Sequence, residues 1–421
     1  MEYALPHPSR LCDLGLNFLM RSTPVVFARI AAAFLLIPVA SLSQQPLTRQ
    51  EAVESAVSRG ARAAVARADT LVGAAQLMAA RQWENPSLSA SYSKSVPNYH
   101  EIVDFPLDIT GARGARVRSA QASRLASLFR FQFERAAAAL DADTTYTRAL
   151  AAREHVRLAR RNARDADSLR RMAIVRRDAG DASELDVLLA TVNAGQAANL
   201  AAADSLTLVS TLFDLQSVMG VSTDSVVITP IDSLTLPPDQ RGGGSSPQAL
   251  PVAAAEQALA AAEQSISAQK RSVFAPFSIQ GGIEHGDPSQ PGVLPTFGVS
   301  IPLPILNRNR GGIAQAEAER ERARAELALV RLETHNAIGR AERSRMLALG
   351  KIERDRVLVE SATRISAMSL TAYREGAQGL PAVLEAQRNA REILSQYVDD
   401  LADAWIAIAV LRLYDLRTTT P

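Results

Sequence analysis

The chain is written twice. Phe105-Pro106-Leu107-Asp108-Ile109 recurs as Ile301-Pro302-Leu303-Pro304-Ile305, an offset of 196. The same offset carries Ala120 and Ala122 onto Ala316 and Ala318, Met172 onto Met368, and Gly180 onto Gly376. It also carries Val187-Leu188 with Ala190 onto Val383-Leu384 with Ala386. Upstream the offset falls to 190, Pro86 onto Pro276, so the second copy holds extra residues between its two prolines. A constant offset over roughly eighty residues marks a tandem duplication, and a duplicated unit folds as a repeated supersecondary structure. The first copy spans 44–229 and the second 252–417. Between them, 230–251 contains Pro237-Pro238 and Gly242-Gly243-Gly244-Ser245-Ser246, the composition of a linker or exposed loop.

Each copy reads helix, two short strands, very long helix, tight turn, long helix. No proline lies between Pro106 and Pro230 or between Pro304 and Pro381, and alanine, leucine, arginine and glutamate dominate both stretches. Gly180 and Gly376 break the pattern where a helix would stop and turn back. Helices over Ala112–Ala179 and Ile313–Glu375 would be about 100 and 95 Å long at 1.5 Å per residue. Helices alone would fit a solvated coiled-coil rod.

The strands argue otherwise. Val103, Phe105, Leu107 and Ile109 alternate with Asp104, Pro106 and Asp108; Phe297, Val299 and Ile301 alternate with Thr296, Gly298 and Ser300. Phe277, Ile279 and Ile283 alternate with Ser278, Gln280 and Glu284, and Leu88, Ala90 and Tyr92 alternate with serines. Strands are expected at about 86–96, 102–110, 277–285 and 295–303. Apolar residues on one face and small or acidic ones on the other suit a membrane barrel wall around a wet lumen. Four strands cannot close a barrel, and open edges are not tolerated in lipid, so further copies of the chain must supply the rest.

Composition excludes several alternatives. The 46 basic and 44 acidic residues nearly cancel, leaving no global field for nucleic acid. From Met20, MRSTPVVFAR leads into an apolar run, Ile30 to Ala40, then Ser41-Leu42-Ser43. That pattern is a secretory signal within a 1–43 leader, too short for a membrane anchor. The only cysteine, Cys12, precedes the apolar run, so neither a disulfide nor a lipidated N-terminus is expected after cleavage. His100, His155, His285 and His335 are scattered without metal-ligand spacing, and neither a nucleophile elbow nor a phosphate loop occurs. No enzyme activity, cofactor or metal site is expected. A periplasmic adaptor would carry one helical hairpin flanked by compact β domains, whereas this chain carries two hairpins and little β sequence.

Taken as an ordered set, these features are similar to the TolC-type outer-membrane efflux family over essentially the whole mature chain. Phe105-Pro106-Leu107 leading to Gly111-Ala112-Arg113, and Pro302-Leu303-Pro304-Ile305-Leu306-Asn307-Arg308-Asn309-Arg310-Gly311, resemble that family's exit from strand into helix. Gly180-Asp181-Ala182-Ser183-Glu184-Leu185-Asp186-Val187-Leu188 resembles its helical tip. The resemblance implies a mainly α fold with a small membrane β part. Three chains would pool four strands each into a twelve-stranded barrel in outer-membrane lipid, above a periplasmic tunnel of long helical hairpins. It implies a passive duct whose tips, Gly180, Asp181, Asp186 and Gly376, meet a periplasmic adaptor coupled to an inner-membrane pump. It also places a gate after the second glycine turn. Aligned on Gly376, the family's inner acid falls on Glu385 and its tip tyrosine on Tyr373, while its companion acid falls on Ala382 and its arginine on Gln378. Gly111, Gly114, Gly311 and Gly312 fall at the strand-to-helix transition, where glycine lets the backbone bend without a Cβ clash. The short chain and the Asn-Arg-Asn-Arg-Gly transition resemble members serving heavy-metal efflux pumps; drugs, other small molecules and secreted polypeptides remain alternative cargoes.

Overall fold

The computed structural model describes residues 45–221, 228–238, 249–274, 277–301 and 303–414. The expected leader, Pro276, Pro302, the Gly-Ser part of the expected linker and the last residues of the second copy lie outside them.

In chain order the elements are β1 (Gln45–Leu47), α1 (Arg49–Arg59), α2 (Ala61–Arg81), β2 (Ser87–Tyr92), β3 (Tyr99–Leu107), α3 (Ala112–Asp178), α4 (Glu184–Met219) and β4 (Ile228–Pro230). Then follow α5 (Leu250–Arg271), β5 (Phe277–His285), β6 (Val293–Ser300), α6 (Arg310–Arg374) and α7 (Leu380–Tyr414). With 67 and 65 residues, α3 and α6 are each about 100 Å long. Their buried side chains are mostly alanines, such as Ala138, Ala142, Ala149, Ala166 and Ala173 in α3. Small side chains let two long helices run close over many turns at little cost in side-chain entropy.

The second element of each hairpin begins six residues after the first ends, at Glu184 and at Leu380, so the offset of 196 holds in three dimensions. Next to the sheet the extensive helix contacts run α2–α3–α5–α6; toward the tips they run α4–α3–α7–α6. Mid-hairpin, Lys351 Nζ lies 3.0 Å from the carboxylate of buried Asp400, tying α6 to α7, and His155 Nε2 lies 2.8 Å from Asp399, tying α3 to α7.

β2 and β3 are antiparallel, as are β3 and β5 and β5 and β6, giving one sheet in the order β2-β3-β5-β6. β3 begins three residues earlier than the alternation suggests. Its first residues are held across to β5, Tyr99 stacking on His285 at 4.8 Å and His100 Nδ1 lying 3.3 Å from Glu284. It ends at Leu107 because Asp108 accepts hydrogen bonds from the amides of Ala112 and Arg113, both at 2.9 Å, and starts α3.

β1 and β4 pair in parallel and bring the start of the first copy onto its end. Residues 230–238, expected as the beginning of a linker, are not a free tether. Asp232 accepts from the amide of Arg49 at 2.9 Å and its carboxylate lies 2.8 Å from the Tyr146 hydroxyl; Trp405 Nε1 donates to the Thr235 carbonyl at 2.8 Å. Tyr146 is fully buried there among Leu47, Leu150, Leu215 and Ile228. Alternation and helix periodicity carry no mark of these scattered polar contacts.

Candidate functional site: the sheet wall and the helical tips

The register sorts the side chains of the sheet onto two faces. Leu88, Ala90 and Tyr92 share one face with Tyr99, Val103, Phe105 and Leu107, with Phe277, Ile279 and Ile283, and with Val293, Phe297 and Val299. That face is the more exposed: Phe297 is 84% accessible and Leu88 72%. The opposite face is mainly polar, with Ser87, Ser89 and Ser91, Asp104, Ser278, Gln280, Glu284 and Thr296 beside Ile102 and Leu294, and is more sheltered on β3 and β6. A sheet with a bare apolar face and a polar reverse is stable only where lipid or protein covers the apolar one. β3 and β5 each run nine residues, about the length that crosses a bilayer's hydrocarbon when tilted. Tyr92 and Tyr99 mark the end of the apolar face away from the helices. Trp83, under the guanidinium of Arg113 at 4.3 Å, marks the helix end. Aromatic residues at both limits are a membrane-interface pattern. Glu101, the acid on the apolar face, sits at the outer limit 3.8 Å from His285. Among the described residues no helix is long and apolar enough to cross a membrane.

Both outer strands of the sheet, β2 and β6, have an edge with no partner among the described residues. The helices beneath repeat the asymmetry. On the β2 side, α2 exposes Leu71 and Met78 and α4 exposes Leu188, Val192 and Phe213; on the β6 side, α6 exposes Leu332, Leu347, Val357 and Met368.

The strand-to-helix bends differ from expectation in one respect. Of the four glycines expected there, only Gly111 takes a left-handed conformation, at φ 70°. In the second copy that role falls to Asn309, at φ 52°, while Gly114, Gly311 and Gly312 lie within helices at ordinary dihedrals. Asparagine tolerates this region because its short amide bonds locally. Asn309 Nδ2 donates to Gln269 Oε1 at 2.8 Å and to the Gln269 carbonyl at 3.0 Å. At Gly312 a Cβ would overlap the end of the Asn309 side chain, which would have to shift to admit it.

At the tips both glycines lie in the left-handed region, Gly180 at φ 84° and Gly376 at φ 76°. Each closes its helix with the same bond pair: Gly180 N to Arg177 O at 2.9 Å with Asp181 N to Arg176 O at 2.8 Å, and Gly376 N to Tyr373 O at 3.1 Å with Ala377 N to Ala372 O at 2.8 Å. Asp186 is the third helical residue of α4, and its carboxylate bonds back to Ser183 while the Ser183 hydroxyl accepts from the Asp186 amide. Asp181 is exposed.

Tyr373 is buried in a core joining the tips, with Leu169, Ala173, Val187, Ala190, Leu380 and Val383. Its hydroxyl has no hydrogen-bond partner among the described residues, and burial pushes the phenol up from its ordinary value. Arg176 joins the hairpins: it donates to the Tyr373 carbonyl at 2.7 Å and its guanidinium lies 4.8 Å over the Tyr373 ring. Nothing in the sequence separates Arg176 from the other arginines of α3, and it goes unnoticed until the two hairpins are placed side by side. Ala382 is exposed, Gln378 is half-buried, and Glu385 is exposed and paired with Arg388 at 2.8 Å.

The fold is a sheet wall with open edges over paired hairpins that close at glycine tips. Solved structures share it. The chain is similar to a membrane protein from Pseudomonas aeruginosa, at 20% identity and TM-score 0.76, covering 90% of this chain and 98% of that one. It is similar to the CmeC outer membrane channel of Campylobacter jejuni, at 15% identity and TM-score 0.76, covering 87% and 85%. It is similar also to the outer membrane protein VceC of Vibrio cholerae, at 16% identity and TM-score 0.75, covering 88% and 96%. No family model matches the sequence, and no curated protein matches it. The fold is that of the TolC-type outer-membrane channels.

Proposed function

We propose that the chain is one subunit of a homotrimeric outer-membrane duct, a passive exit for solutes delivered by an inner-membrane pump through a periplasmic adaptor. The observation that carries this reading is the four-stranded sheet with a bare apolar face and two open edges. Two copies would make an eight-stranded barrel, whose interior side chains fill; three are the smallest number that leaves a water-filled lumen. A ring of this kind joins unlike edges, β6 of one copy to β2 of the next, and places α6 against α2 and α4 of its neighbour. The apolar residues left exposed on those helices are the ones such a ring covers.

The helical tips would be where the adaptor docks, and a closed state at Tyr373 and Glu385 would be opened there. For cargo we favour heavy-metal cations, on the likeness of the Asn307 to Gly311 transition to members serving such pumps. Loss of metal tolerance with unchanged drug tolerance in a deletion strain supports that cargo; the reverse pattern removes it.

The assembly is tested with cysteines at Ala90 and Phe297, on the two edge strands, in otherwise cysteine-free protein. Chemical cross-linking in isolated outer membranes should give a ladder ending at three chains. A soluble monomer in the periplasmic fraction would overturn the reading.

A further inference from the structure

The register also fixes which ionisable side chains share the sheltered face of the sheet, and apart from His100 they are all acidic. Asp104 sits opposite Gln280 on β3 and β5, and Glu284 opposite His100. Gln280 Nε2 donates to Asp104 Oδ1 at 2.6 Å, while Glu284 Oε1 lies 3.3 Å from His100 Nδ1, so both carboxylates are fixed in place. None of the four strands carries a lysine or arginine. Gln280 and Glu284 are four residues apart on β5, which puts the two carboxylate levels about 13 Å apart along the wall.

We propose that Asp104 and Glu284 form a charge filter in the barrel wall that favours cationic solutes over anionic ones, separate from any selection at the helical tips. The inference rests on the trimeric barrel proposed above, in which two carboxylates per chain become two rings of three. Like charges lining a wet passage with low-dielectric walls raise the local concentration of counter-ions and exclude ions of their own sign. The field of fixed carboxylates in such a passage weakens as salt rises.

Thr296→Cys, in a Cys12→Ala background, puts a thiol on the same face, opposite Gly282 and next to Glu284. Intact cells are treated with a cationic methanethiosulfonate (trimethylammonium-ethyl) or its anionic sulfonatoethyl counterpart, and each rate is divided by that for free cysteine. The cationic reagent should be favoured by at least about threefold at low salt. The preference should shrink in high salt and vanish in Asp104→Asn with Glu284→Gln. A reactive Thr296→Cys that shows no charge preference, or one that the double variant leaves unchanged, overturns the filter and leaves the barrel standing. If Thr296→Cys is unreactive while Phe297→Cys, on the apolar face, reacts with both reagents, the sheet faces the other way and the barrel falls with the filter.

Discussion

At both hairpin tips the chain leaves a helix through a left-handed glycine, makes the same two backbone bonds, and enters the next helix at the same spacing. The side chains around these turns differ. The first tip is tied by its own residues. Ser183 and Asp186 cap α4 reciprocally, and Arg177 bridges Asp178 at 2.6 Å and Glu184 at 3.1 Å. The second tip has Gly379 and Ala382 at the positions of Ser183 and Asp186, so the same helix start has no side chain with which to cap itself. It is held instead by burial of Tyr373, Leu380 and Val383 against the first hairpin and by the guanidinium of Arg176. The first tip is ordered locally and the second by its neighbour. A gate needs a part that can move without unfolding, and contacts between hairpins can be exchanged where a helix cap cannot. In the duct proposed above, the second tip is therefore the one expected to move.

The sharpest test of this contrast is Tyr373→Ala. Truncating a buried aromatic costs about 3–5 kcal/mol. The loss should appear as faster amide hydrogen exchange over 370–385, with 178–190 little changed because the Ser183–Asp186 box remains. Equal loosening at both tips would mean that they form one unit.

Arg176→Ala removes a charge-assisted bond to a backbone carbonyl and a ring contact, together worth about 1–3 kcal/mol. Cells carrying it should become sensitive to bulky antibiotics that a closed duct excludes. Arg176→Lys should restore little, since an ammonium cannot both stack on the ring and reach the carbonyl with a planar fork. Unchanged sensitivity would show that burial alone holds the second tip.

A smaller effect of opposite sign is expected from Gly379→Ser with Ala382→Asp, which moves the capping box of the first tip onto the second. Such a cap is worth about 0.5–2 kcal/mol. Amides at the start of α7 should exchange more slowly and antibiotic exclusion should tighten; slower exchange with no change in exclusion would separate helix order from gate closure.

These differences mark where the sequence is informative. The offset of 196, the glycine stops and the period-two strands record local geometry that every copy of the unit must obey, so helix ends and sheet faces follow from them. Asn309 in place of a glycine could be anticipated only from knowing which positions turn left-handed, because the amide that steadies it bonds to Gln269, 40 residues away. Arg176 and the anchoring of Asp232 depend on residues brought together from distant parts of the chain. A count of polar residues along a helix does not distinguish a tether from a solvated charge.

The weakest expected effect concerns Glu385, and it links the tips to the barrel wall. The resemblance to TolC-type channels would make Glu385 part of a cation-favouring ring, but in this chain its carboxylate is bonded to Arg388 one turn further along α7, and both side chains are more than half exposed. If both face the axis, three acids are offset by three guanidinium groups, and little net charge remains to select by sign. Glu385→Gln should then lower cation preference in planar bilayers less than Asp104→Asn with Glu284→Gln does, since the strands carry no lysine or arginine to offset those acids. Arg388→Gln should raise the preference by exposing the acid, and Glu385→Lys should turn it toward anions. Stability should stay within about 0.5 kcal/mol in each case, as for other surface substitutions. If Arg388→Gln and Glu385→Lys both leave ion selectivity unchanged, this face of α7 points away from the lumen, and charge selection belongs to the barrel alone.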